Sequence, residues 1–431
     1  MVGELGAFSW VRLRLWWERA FWVVPLAGVL VGTVLNAIVG ALDDYIAEAT
    51  GGSIHIIAAA QASQLLSAIG GGMITFTGFV FSFVVLILQF GSSQYSPRTV
   101  SYFLRAKSTR YILAIFLATI TFTFLGLLDI SSGGRADFTP DLTVLVSVGL
   151  LFASLVAFIV LLHSVGSRVR VDAVLSALGS RARSLFSRRL STSTGVELTT
   201  TDAAPAVGEL ARSTRAGQTV AIDVRAILAI ARRHQLKLTL LIQVGDAVSV
   251  GTPVIRVSSD SRVAPGVLQG LRRSVVVDKE RSLRHDPFYS LRLLVDVAVR
   301  ALSPGVNDPT TAVRALDEIE GVLRVIGGLE LGARRIVDGE AAVVLRGPTW
   351  EDVVDLALLE VVLCGFNQPQ VSRRVTALVG DLVHDLPDER DAALVAMQRQ
   401  LVALVESAWA SPELVRTALS PDRQGLGGTV G

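Results

Sequence analysis

Apolar residues gather in four long runs near the start of the chain, at about 22–42, 64–91, 109–128 and 142–163. Each is long enough to cross a bilayer, which takes about 20 residues as a helix. The second run carries a pattern of its own. Gln64, Ser67, Gly71, Thr75, Gly78, Ser82, Gln89 and Ser93 follow one another at gaps of three, four or seven. At 100° per residue they fall in a wedge of roughly 80° on one helix. Bulky groups fill the rest of the run, among them Phe76, Phe79, Val80, Phe83, Leu86 and Phe90. Lipid tolerates a polar line only where it meets protein or water. The helix therefore packs closely against other helices or lines an aqueous path.

The stripe extends over roughly 45 Å at the helical rise, beyond the hydrocarbon thickness. It offers hydroxyls and amides and no charge, which suits water or ions passing without tight binding and makes a poor proton relay. Four helices leave little room for a conduit, so a pore requires a ring of subunits around the second span. The first run has Gly28, Gly32, Asn36 and Gly40 four apart, a spacing that lets helix backbones approach and an Asn bond across. Its small face offers the stripe a packing partner within the chain. Thr119, Thr123 and Gly126 on the third run read as packing.

Flanking charge orients the spans. Arg12, Arg14 and Arg19 precede the first; Asp43, Asp44 and Glu48 follow it. Arg98, Arg105, Lys107 and Arg110 lie between the second and third, and Asp129, Asp137 and Asp141 outweigh Arg135 before the fourth. Arg168, Arg170, Arg181, Arg183, Arg188 and Arg189 come after it. Basic segments alternate with acidic ones, which puts both termini in the cytoplasm of a multi-pass protein of the inner (cell) membrane. Trp10, Trp16, Trp17 and Trp22 among the first arginines suggest an interfacial helix over 1–20, and Ser96-Pro97 opens a second over 97–107. Arg98, Arg105, Lys107, Arg168 and Arg170 are candidates for lipid headgroup contact.

The expected architecture is an α-helical polytopic domain of four transmembrane helices over 21–164, followed by a cytoplasmic α+β domain. Residues 165–216 read as a basic helix continuing the fourth span and then a Ser/Thr-rich linker, 217–260 as a small strand-rich module, 261–420 as mostly helical and 421–431 as a disordered tail. In the module, strands are expected at Gln218–Ile222, Leu236–Val244 and Pro253–Val257 around a helix at Val224–His234. Asp286-Pro287 and Asp308-Pro309 each open a helix, because Asp accepts from free N–H groups and Pro fits the first turn. Asp338-Gly339 marks a hairpin. Thr349 and Asp352 form a capping box for a helix over 350–364, with further helices near 369–385 and 388–409.

The chain has 431 residues, 51% of them hydrophobic, a net charge of +2, one cysteine (Cys364) and five histidines. Mean hydropathy is +0.53, too apolar for an ordinary soluble chain. One cysteine excludes an intramolecular disulfide and a thiolate metal centre. His234, His285, Asp286 and Asp317 can be set in the order of a metal phosphohydrolase, but Pro287 and the helical context disagree. The Gly245–Val254 turn resembles biotinyl and lipoyl carriers, yet Lys237 sits within a strand pattern. His163 sits at the inner end of the fourth span, where an interfacial place suits it better than catalysis. No nucleotide-binding or nucleophile signature appears, and basic residues are not interleaved with aromatics. No catalytic residue, metal or cofactor is therefore expected. The expected partners are the bilayer and further copies of the chain, with no nucleic acid and no identified ligand.

Thr77–Arg98, Gly245–Val254 and His285–Val313 together resemble a bacterial family of predicted membrane proteins, domain of unknown function 2254. The likeness runs through nearly the whole chain. It implies an integral membrane protein with a cytoplasmic C-terminal domain, and it implies no activity and no functional residues. A homo-oligomeric pore lined by the second span is the leading expectation. Its rival is a membrane-anchored scaffold or sensor whose stripe is only packing.

Overall fold

The computed structural model describes residues 22–49, 58–94, 107–132, 141–168, 170–190, 197–198, 208–259, 262–281 and 286–423. The interfacial segment 1–20, most of 97–107 and the tail beyond Arg423 lie outside them. The chain divides into two compact units, one holding the four long helices and one running on from Val171.

The first unit consists of α1 (Val23–Ala49), α2 (Ala59–Gln94), α3 (Lys107–Ser132) and α4 (Asp141–Arg168). All four are long and apolar enough to cross a membrane, over Val23–Ile46, Ala60–Ile87, Thr109–Ile130 and Asp141–Ser164. The helices outrun the expected spans. Asp43, Asp44 and Glu48 belong to α1 and Asp129 to α3, not to the loops where the charge count placed them. A helix continues past the hydrocarbon as long as its backbone bonds repeat, so its length is not set by the apolar run alone.

α3 is the hub and packs on each of the other three, while α1 and α2 form no substantial interface. Small residues decide the α1–α3 approach: a Cβ on Gly28 would collide with the Ala114 backbone, and one on Gly32 with that of Ala118. Gly28→Leu is accordingly expected to cost about 1–3 kcal/mol through overpacking. Gly40→Leu, with no atom within 4 Å of the new Cβ, should cost little. Unfolding of both variants in mixed micelles checks the pair, and equal midpoints would contradict it. Between α2, α3 and α4 an aromatic cluster fills the core, with Phe76 set 5.5 Å from Phe116 and 4.9 Å from Phe158, centroid to centroid.

In the second unit α5 (Val171–Leu190) starts a new helix after Arg170 and does not prolong α4. Its apolar face, Val174, Leu175, Leu178, Ala182 and Phe186, is buried. It packs on α8 (Pro287–Ala301) and α9 (Pro309–Gly327). The apolar stripe at helical spacing dictates that choice, since in water it must be covered.

The strands are β1 (Glu197–Leu198), β2 (Glu209–Arg212), β3 (Gly217–Ile222), β4 (Lys237–Leu240), β5 (Ala247–Val248), β6 (Pro253–Ser258), β7 (Val275–Asp278), β8 (Arg334–Asp338) and β9 (Ala341–Leu345). They form a six-stranded sheet of order β1-β8-β9-β4-β6-β2 and a three-stranded sheet β5-β3-β7. The stretch 217–260 is thus not closed on itself. Its β4 pairs in parallel with β9, Leu238 opposite Val343, because one hairpin cannot cover the apolar face of the other strands. Helices α6 (Val224–His234) and α7 (Pro265–Arg273) bury Ile227, Ala231 and Leu271 against these strands. The expected strand over 236–244 ends at Leu240, and α7, β7 and β2 were not foreseen.

The helical layer continues through α10 (Trp350–Val354) and α11 (Glu360–Gly365), joined by a π-helical turn at Asp355–Leu359, then α12 (Pro369–Asp385), α13 (Asp391–Ala408) and α14 (Pro412–Leu419). The caps follow the expected chemistry. Asp286 accepts from Tyr289 N–H at 3.0 Å, Asp308 from Thr311 N–H at 3.1 Å, and Thr349 with Asp352 closes a capping box. Gly339 turns the β8–β9 hairpin at φ 63°, in the left-handed region.

Candidate functional site

α2 has two unlike faces. Ala62, Leu66, Ile69, Met73 and Val80 are buried against the bundle. On the opposite side Gln64, Ser67, Gly71, Thr75, Gly78, Ser82 and Gln89 are all exposed. The periodicity explains this: at 100° per residue the buried set centres about half a turn from the polar set. Bulky exposed groups flank the polar line, Ile74 and Phe81 on one side and Phe79 on the other. The stripe thus runs along the middle of the outward face of α2, and the Gly28–Gly32 face of α1 is spent on α3. The side chain of Ser93 is outside the described residues.

Two of the hydroxyls on this face are held locally. Thr75 Oγ1 donates to the Gly71 carbonyl at 3.2 Å and Ser82 Oγ to that of Gly78 at 3.0 Å. Both protons point back along the helix, so the oxygens present lone pairs outward. Nothing lies within 4 Å of a Cβ built on Gly71, Gly72 or Gly78. The face is therefore neutral, narrow, and rich in acceptors.

Several other polar groups of the bundle are paired inside it, whereas the Thr77 and Ser147 hydroxyls are buried without a partner among the described residues. Asn36 Nδ2 donates to Asp129 Oδ2 at 2.8 Å, tying α1 to α3. Asp43 reaches the start of α4, accepting from Leu142 N–H and Thr143 N–H at 3.0 Å each and from the Thr143 hydroxyl at 2.6 Å. It satisfies free N–H groups and sets a negative charge at the positive end of the helix. Thr119 and Ser154 hydroxyls meet at 3.0 Å between α3 and α4. Thr123 bonds its own helix, and Gly126 lies against Thr143. The Asp43 cap is hardly visible in the sequence because its partner lies a hundred residues away; an Asp at the end of an apolar run is the trace it leaves.

The basic candidates are less informative. Arg98 and Arg105 lie outside the described residues. Lys107 opens α3 and Arg168 closes α4, with side chains outside the description, and Arg170 is exposed.

In the second unit the residues that could suggest chemistry hold structure instead. Asp286 caps α8 and is paired with Arg281 at 2.6 Å, while Asp317 binds Arg374 and Arg314 at 2.8 and 2.9 Å. His234 closes α6, and His285 is outside the described residues. Asn307 adopts φ 48° and accepts from Gln368 at 3.3 Å. Lys237 lies in β4. Partial burial, then the neighbouring Glu360 carboxylate, push the Cys364 thiol up, away from a reactive thiolate. Among the described residues no three His, Cys, Asp or Glu side chains gather as a metal site. His163 is exposed near the end of α4.

A family model described as predicted membrane protein (DUF2254) matches residues 18–381. An uncharacterized protein of Mycobacterium bovis is 30% identical over 413 residues, covering 91% of this chain and 76% of its own. An uncharacterized protein of Mycobacterium tuberculosis matches with the same identity and coverage. No solved structure matches. The match extends through all four membrane helices and on into α12, so the chain belongs to the DUF2254 family of predicted membrane proteins.

Proposed function

We propose that this membrane protein is a homo-oligomeric, channel-like protein, with α2 lining a shared polar path and the C-terminal unit assembling or gating it. The observation that carries the reading is the orientation of α2: its polar line points away from the three helices that could have covered it. In a bilayer that line needs other protein or water. A ring of copies with the α2 faces toward a common axis supplies both, and Ile74, Phe79 and Phe81 beside it become contacts between subunits. The Thr75 and Ser82 oxygens, their protons spent on their own helix, offer acceptors to the path, which favours water and cations over anions. Alternating flanking charge supports an inner (cell) membrane location with both termini cytoplasmic, and Arg170 just past α4 suits anionic headgroups.

The second reading is a membrane-anchored scaffold or sensor. It draws on the same hydroxyl bonds, because a self-satisfied small-residue face is also what close helix packing uses. Ion flux separates the two. Full-length protein in liposomes should pass monovalent cations, and Thr75→Trp or Ser82→Trp should abolish the flux while leaving insertion intact. Absence of flux from the intact protein, or flux indifferent to both substitutions, would overturn the channel reading and leave the scaffold.

A further inference from the structure

The second unit contains a cavity of about 370 Å³ between the two sheets and the α5–α8 layer. That size falls in the range of small-molecule sites. More of its wall is apolar than polar. Ile222, Leu240, Ile242 and Leu345 come from or beside the strands, and Phe186 and Phe288 stand edge to face at 5.0 Å between centroids on the helical side.

Charge enters at the lining through Arg334, Arg346, Glu330 and Asp286. Asp286 is already matched by Arg281. The two arginines are not matched: no carboxylate among the described residues pairs with either. Each is instead steadied by the backbone. Arg334 Nη2 donates to the Glu330 carbonyl at 2.8 Å, and Arg346 Nη1 to the Leu241 carbonyl at 3.1 Å. One donor holds each guanidinium in place and the others stay available, a pre-organised arrangement for an anion. Glu330 offsets one of the two charges, leaving one cation in excess. Two lining segments are joined where Gly332 N–H donates to the Pro348 carbonyl at 2.9 Å. A Cβ on Gly347 would strike the Gly332 carbonyl, so glycine is required there.

We propose that this cavity binds a small organic anion, its apolar body against Phe186 and Phe288 and its carboxylate or phosphate on Arg334 and Arg346. Apolar walls alone would accept a neutral molecule, and surface arginines alone would accept a free inorganic ion. The combination selects a molecule with both parts.

Calorimetry on the full-length protein in nanodiscs, with empty nanodiscs as blank, tests this with benzoate, phenyl phosphate, benzyl alcohol and inorganic phosphate. At least one aromatic anion should bind about tenfold tighter than the alcohol or inorganic phosphate. Whichever anion binds tighter identifies the headgroup. Arg334→Gln with Arg346→Gln should remove that advantage, Ala221→Trp should block the cavity for every probe, and Glu330→Gln should tighten anion binding. Hydrogen exchange in β4 and β9 confirms that the variants fold. The proposal is overturned if neither anion binds saturably, or if binding persists unchanged in both the double arginine variant and Ala221→Trp.

Discussion

Arg374→Met is expected to destabilise the helical layer of the second unit by about 3 kcal/mol, at the lower end of what breaking a buried ion pair costs. The Arg374 side chain is only 5% exposed and lies between two carboxylates of α9. Its Nε donates to Asp317 at 2.8 Å and its Nη2 to Glu320, itself buried. Burial lowers the guanidinium's proton affinity, but the bonds from Glu320 and Asp317 outweigh it and the group stays charged. Removing it takes away one of the two cationic partners of Glu320, in a medium where an under-compensated carboxylate is expensive. Arg324, which also holds Glu320 at 2.6 Å, limits the loss. Arg374→Met combined with Glu320→Leu should recover part of the stability, since no charge is then left uncompensated and Nη1, which lacks a partner, is gone as well. Hydrogen exchange over α9 and α12 reads both variants. Unchanged protection in Arg374→Met, or a double variant worse than the single, would contradict this account.

What the sequence made legible follows the range of the interaction. Asp286, Asp308 and Thr349 act on backbone three residues away, and their helices begin where the residues predict. The apolar runs show as four helices because lipid leaves so few alternatives. Long-range partners were not visible. Nothing in Leu236–Val244 reveals that its strand lies parallel to one more than a hundred residues on, and the strand stops at Leu240, just past its last pair with β9 at Thr239. The π turn at Asp355–Leu359 leaves no period to read. Asp43 and Asp129, counted as loop charges, are helical residues bound to Thr143 and Asn36.

The α2 stripe shows both sides of this limit. Its spacing and chemistry were plain in the sequence, but its direction was not. The small face of α1, which could have covered it, has Ala114 and Ala118 of α3 as partner. Two small-residue lines in one bundle can meet in several ways, and only side-chain packing selects among them. The selection leaves the uncharged polar line outward, turned away from the other three helices.

Water access to that line is the most direct test. In full-length protein with Cys364→Ser, so that no native thiol remains, single cysteines replace Thr75, Ser82 and Phe152. Thr75 and Phe152 lie near the middle of their spans, Ala60–Ile87 and Asp141–Ser164. Both are exposed, Phe152 at 62%, but Phe152 belongs to an apolar surface of α4. A membrane-impermeant methanethiosulfonate reacts with thiolate, which forms only in water. Thr75→Cys and Ser82→Cys should react at least about tenfold faster than Phe152→Cys in liposomes, a difference that hydration of one face alone produces. Equal, negligible reaction at all three positions would mean that the stripe is dry and that its role is packing.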